Sequence, residues 1–99
     1  MRWRRVAVRG PSMSPVLSDG DVVLVTFGSR PRAGDVVLVR WSGRPGQLSV
    51  KRAVRPVGDG GEWEVRGDNP YGSTDSAQLG PARVLGVVRC RLWPRPRRF

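Results

Sequence analysis

Histidine is absent from this 99-residue chain. Its absence excludes a Ser-His-Asp triad and removes the commonest general base and the commonest metal ligand. Cysteine occurs once, as Cys90, so no internal disulfide can form and no thiolate cluster can hold a metal. Neither a metal nor any other cofactor is expected. Isoleucine is missing too, and lysine occurs once, as Lys51, against 17 arginines. No run approaches the ~20 apolar residues of a membrane span, and no signal-peptide hydrophobic region is present. The expectation is a cytoplasmic protein, with peripheral membrane association left open.

Valine fills the space that isoleucine leaves, with 16 copies, and 13 glycines and 9 prolines punctuate the chain. That composition favours short strands and turns over helices. The length suits one domain that buries roughly two-thirds of its unfolded surface. The expected fold is mainly β: a single small domain of short antiparallel strands over residues 1–93, then a mobile basic tail over 94–99. The formal charge is +10, with 18 basic residues against 8 acidic. The excess gathers at the ends, in "MRWRR" and "RLWPRPRRF". Arginine interleaved with tryptophan is compatible with nucleic-acid or anionic-membrane contact. A solvated, arginine-biased terminus is the plainer alternative.

Along the chain, "WRRVAVRG" (3–10) alternates as a first strand, with Val6 and Val8 on one face. One short turn follows and ends at Gly20. Two copies of "GDVVLV", at 20–25 and 34–39, read as strands buried on both faces. Residues 41–47 read as a loop and 48–57 as the next strand. "GDGG" (58–61) reads as a tight turn into a hairpin partner at 62–67. Residues 67–80 have the composition of an ordered loop. A last strand spans 82–93, bent at Gly86, with Cys90 as a buried thiol.

Three serines, Ser12, Ser14 and Ser18, crowd into "GPSMSPVLSDGD" between two turns. Such serines often bond nearby backbone and nothing more. A nucleophilic serine here needs a base other than histidine, and arginine stays protonated. Lys51 is the one lysine, and it lies in a strand between Ser49 and Ala53 on alternate positions. Held in an apolar pocket, a lysine amine loses affinity for its proton, by as much as about 3–5 pH units. Chance under arginine bias is the bland explanation of a single lysine.

"GPSMSPVL", then "VKR", then "GDNPYGSTDS" together resemble the signal peptidase I family of serine endopeptidases, which use a Ser-Lys dyad. The matched segments are Ser12-Met13-Ser14-Pro15-Val16-Leu17, Lys51-Arg52, Gly67-Asp68-Asn69 and Ser73-Thr74-Asp75-Ser76. They stand in the family's order and span residues 10–80. The resemblance implies Ser12 as nucleophile and Lys51 as general base, with Ser73 orienting the amine and Asp75 bracing the site. Ser14 and Ser18 become structural. Oxyanion and substrate contacts fall to the Ser12 backbone N–H and to Gly10 and Met13. Three departures stand out. Val16 replaces a threonine, Ala77 replaces an arginine that pairs with the aspartate in many relatives, and Gly10 supplies no hydroxyl for the oxyanion. Only 15 residues separate Lys51 from Gly67, too few for the extra β-domain of large members. The membrane anchor is missing as well. The chain is therefore most similar to the short, anchorless members that mature nickel-type superoxide dismutase by removing a propeptide.

The implied activity is processing of a precursor protein near its N-terminus, with the substrate bound as an extended strand. The principal alternative is a catalytically inert basic module on the same fold, binding nucleic acid or anionic membrane. Steep salt dependence of binding would mark that module. A third reading is a self-cleaving regulatory domain like those of DNA-damage repressors. No DNA-reading helical region precedes residue 10, and no internal cleavage segment stands out.

Overall fold

The computed structural model describes residues 2–72 and 74–99. These form seven strands and one short helix. The strands are β1 (Arg2–Ala7), β2 (Val22–Phe27), β3 (Val36–Trp41), β4 (Arg44–Val57), β5 (Glu62–Arg66), β6 (Ala82–Trp93) and β7 (Arg97–Arg98). The helix, α1 (Ser76–Leu79), lies between β5 and β6. Every pairing is antiparallel, in the order β1-β2-β6-β3-β4-β5, so the mainly β expectation holds. β5 also returns to β6, which closes β6, β3, β4 and β5 into a ring of pairings.

β6 organises the sheet because it is long enough to serve four partners. Its first half pairs with β3 and β5, its second half with β2 and β7. Gly86 sits at the handover and pairs with both Leu38 and Phe27. A Cβ at Gly86 would lie 2.7 Å from the Thr26 carbonyl oxygen and 2.7 Å from a Val25 methyl, so the approach of β2 requires glycine.

The two "GDVVLV" copies meet different fates. β6 lies between β2 and β3, so the copies do not pair with each other. β3 is buried on both faces, as expected. Val36 and Leu38 enter one core with Met13, Leu17, Val23 and Val25. Val37, Val39 and Trp41 enter a second with Ala53, Trp63, Val65 and Val87. β2 instead alternates, with Val23 and Val25 buried but Val22 and Leu24 only half-buried. Its outer neighbour is the arginine-rich edge strand β1, which covers no second face. The expectation of two-sided burial is thus corrected for β2.

Three further expectations change. β4 begins at Arg44, because Ser42-Gly43 alone turns the chain and Arg44 already pairs with Trp41. The segment 94–99, expected as a tail, carries a strand of its own. β7 pairs with Cys90 and Arg91, and the Phe99 N–H donates to the Arg89 carbonyl at 2.9 Å. Backbone groups on the second half of β6 were available for this return. Cys90 is half-buried because it faces Leu24 on the poorly covered side of β2.

Candidate active site

Ser12 lies on a turn that folds back on itself twice. The Ser14 N–H donates to the Pro11 carbonyl at 3.0 Å, and the Leu17 N–H to the Met13 carbonyl at 2.9 Å. This winding puts Met13 and Leu17 on one side, where both are fully buried in the first core. Ser12 is left half-buried at the surface. Met13, expected to make an oxyanion or substrate contact, has its side chain buried as the apolar anchor of the turn. The Ser18 N–H and Arg91 Nη1 both donate to Asp21 Oδ2, and Arg91 Nη1 also reaches the Val16 carbonyl. These bonds fasten the far end of the turn to β6.

Lys51 comes from the middle of β4, opposite the fully buried Val37. It shares that face with Ala53 and the second core. The residue is only 4% exposed. Burial pushes its pKa below the ordinary lysine value of 10.5, while the Asp75 carboxylate pulls in the opposite direction. Desolvation is the larger effect, so the balance favours the neutral amine relative to a lysine in water.

Asp68 and Asn69 join these two elements. Arg52, the residue after Lys51, meets Asp68 through two donors, Nε to Oδ1 at 3.2 Å and Nη2 to Oδ2 at 2.6 Å. Such a two-point contact fixes direction as well as distance. Asn69 holds the other side. Its backbone N–H donates to the Ser12 carbonyl at 2.8 Å, and its Nδ2 to the Pro11 carbonyl at 3.0 Å. Gly72 permits the close approach, since a Cβ there would sit 2.9 Å from Asn69 Nδ2 and 3.0 Å from Pro11 Cγ. The "GDN" motif was legible, but this division of labour was not.

Ser12 and Lys51 line one cleft of about 630 Å³, together with Gly10, Thr74 and Leu79. The β3–β4 hairpin supplies another wall, including Trp41, Arg44 and Leu48. Sequence reasoning missed that wall because 41–47 was read as a loop. Gly10 lines the cleft too, with φ +82°, but its N–H donates to Asp19 Oδ1 at 2.7 Å and is therefore committed. The Ser12 N–H has no acceptor among the described residues. Ser73 lies outside the described residues.

Asp75 is held by the helix it starts. Its Oδ1 accepts from the Ala77 N–H at 3.1 Å, and its own N–H donates to Gln78 Oε1 at 3.0 Å. The "DSAQ" stretch carries this capping-box pattern, whereas residues 67–80 were expected to be loop throughout. The backbone N–H of Ala77 thus contacts the carboxylate that an arginine side chain would otherwise pair. Ser76 points away from the cleft; its Oγ accepts from the Val65 N–H at 2.9 Å and docks α1 on β5. Among the described residues, no helix is long and apolar enough to cross a membrane.

No curated protein matches the chain. A family model described as Peptidase S24-like matches residues 5–89, from β1 through most of β6. That span takes in the Ser12 turn, Lys51 and the Asp68–Asn69 brace that joins them, and it covers most of the sequence. The fold is accordingly a peptidase fold, and the chain belongs to the Peptidase S24-like family.

Proposed function

We propose that the chain is a serine endopeptidase with a Ser12–Lys51 dyad, acting on a precursor protein near its N-terminus. One observation carries this: a buried lysine, biased towards its neutral form, lines the same cleft as a serine on a tightly held turn. In the reaction, Ser12 Oγ attacks the scissile carbonyl while Lys51 Nζ takes its proton. The oxyanion that develops is met by the Ser12 N–H. Lys51 then returns the proton to the leaving amine, which departs as the C-terminal product. Water, deprotonated by the same amine, hydrolyses the acyl-enzyme and frees Ser12. Ser73 orients the amine in this scheme, and Asp75 keeps its pKa from falling further.

The favoured substrate is the precursor of nickel-type superoxide dismutase, on the motif resemblance and the short span between Lys51 and Gly67. The test is incubation of the purified chain with that precursor, followed by mass spectrometry of the new N-terminus. The expected result is one shortened product with the wild type and none with Ser12→Ala. An intact precursor would reject the substrate. Cleavage that persists in Ser12→Ala would reject the dyad, and loss of mass from the chain incubated alone would favour self-cleavage.

A further inference from the structure

The cleft has a one-sided charge that the proposed chemistry does not use. Among the described residues three charged side chains line it, Arg9, Arg44 and Lys51, and no carboxylate does, although the Asp75 charge reaches Lys51. Arg9 follows β1 and adjoins the Ser12 turn, while Arg44 opens β4 on the hairpin wall. Both are exposed. Among the described residues, neither guanidinium has an ion-pair or hydrogen-bond partner. Only Arg52, Arg55 and Arg91 are ion-paired among the described residues, with Asp68, Glu64 and Asp21, so what marks Arg9 and Arg44 is their place on the cleft. With only 8 acidic residues in the chain, several of them committed in this way, Arg9 and Arg44 keep their charge open to a ligand.

Guanidinium is permanently charged, whereas Lys51 is biased towards neutrality, so two fixed positive charges flank the reacting centre. The rest of the lining is mixed, with Trp41, Leu48 and Leu79 beside Gln47, Ser49 and Thr74. The adjoining backbone also favours an extended occupant. β4 pairs with β3 from Arg44 onward, but β5 joins β4 only at Arg52. Among the described residues this leaves one edge of β4 open from 44 to 51, where a peptide strand can add.

Resting on the peptidase reading above, we propose that this cleft selects acidic peptide segments, with Arg9 and Arg44 as its specificity-determining residues. The ligand is an extended chain with glutamate or aspartate side chains flanking the residue at Ser12. Exposed ion pairs of this kind are individually weak, and two together give roughly 3- to 30-fold discrimination at low salt.

The test uses two fluorescein-labelled alanine-rich peptides, one with glutamates on both flanks of a central alanine and one with glutamines there. Anisotropy measures their binding to the full-length Ser12→Ala chain. The glutamate peptide binds about tenfold more tightly at low salt, and the ratio falls towards one as salt rises. The Arg9→Gln/Arg44→Gln double variant brings the ratio close to one. The Arg97→Gln/Arg98→Gln double variant, with the same change of net charge on β7, keeps it. Equal binding of the two peptides overturns the proposal, as does failure of the glutamate peptide to bind. So does a ratio unmoved by the Arg9/Arg44 change, or lost equally on changing Arg97 and Arg98. Cleavage of the glutamate peptide by the wild type is read separately. Selective binding without cleavage upholds the charge selection and counts against the peptidase reading.

Discussion

The backbone N–H of Asn69 lies 2.8 Å from the carbonyl oxygen of Ser12. Residues 57 apart in sequence are therefore locked at the level of the main chain, and the Asn69 side chain doubles the tie through Pro11. The same loop grips the Lys51 strand through Asp68 and Arg52. The placement of Ser12 relative to Lys51 is thus set by two neighbouring residues, Asp68 and Asn69.

Asn69→Ala tests that brace. It removes the Nδ2 bond to Pro11 and the Oδ1 acceptor of the Tyr71 N–H, leaving the backbone bond to Ser12 in place. Small displacements of a reacting group are costly, so kcat should fall about 10- to 100-fold. Stability should fall by only about 1 kcal/mol. Parallel kinetics and thermal melts check this; unchanged kcat with a normal melt would dismiss the brace.

Ser12→Ala, Lys51→Ala and Lys51→Arg should each lower kcat by about 10⁴-fold or more. The arginine variant discriminates most sharply, because it keeps a cation but cannot accept a proton. Ser14→Ala should stay largely active, as Ser14 contributes its backbone N–H to the turn. Progress curves on a cleaved peptide measure all four. Substantial activity in Lys51→Arg, or loss in Ser14→Ala to the level of Ser12→Ala, would contradict the assignments.

Lys51→Met should stabilise the protein at neutral pH. The folded-state pKa lies below the unfolded value of 10.5, so between the two the unfolded chain binds more protons than the folded one. The wild type therefore gains stability as pH rises through that window and is penalised below it. Methionine has no such penalty, and each ~1 kcal/mol relieved raises Tm by about 4–8 °C in a domain of this size. Melts from pH 6 to 10.5 should show the variant's advantage shrinking as pH rises. An advantage that grows with pH would reverse the sign of the argument.

Gly86→Ala should destabilise the fold by about 1–3 kcal/mol, since its methyl meets the Thr26 carbonyl, which cannot rotate away. Urea unfolding checks this, and a neutral result would show that β2 and β6 can separate there without cost.

Much of the fold was legible because strand signals are local. Val-rich runs bounded by Gly-Asp turns located β2 and β3, and the "GDGG" turn located the β4–β5 hairpin. What lay beyond reach was partnership. Identical "GDVVLV" segments took one- and two-sided burial according to which strands flanked them, a property of topology and not of the hexapeptide. The same limit hid the hairpin wall around Trp41 and the return of β7 onto β6. At the site, residue types and order pointed to Ser12 and Lys51. The burial of Met13 could not be read in advance, because it depends on how the turn winds. Nor could the commitment of the Gly10 N–H to Asp19, which arises from a contact nine residues away.

Lys51 is the only lysine in the chain, so lysine labelled with ¹³C at Cε gives a single side-chain resonance. Its titration in the intact folded protein reads the proton affinity of the base directly. The expected midpoint lies below the ordinary 10.5 and moves lower still in Asp75→Asn, where the opposing carboxylate charge is gone. A midpoint at or above 10.5 would leave Ser12 without a proton acceptor and rule out the Ser12–Lys51 dyad.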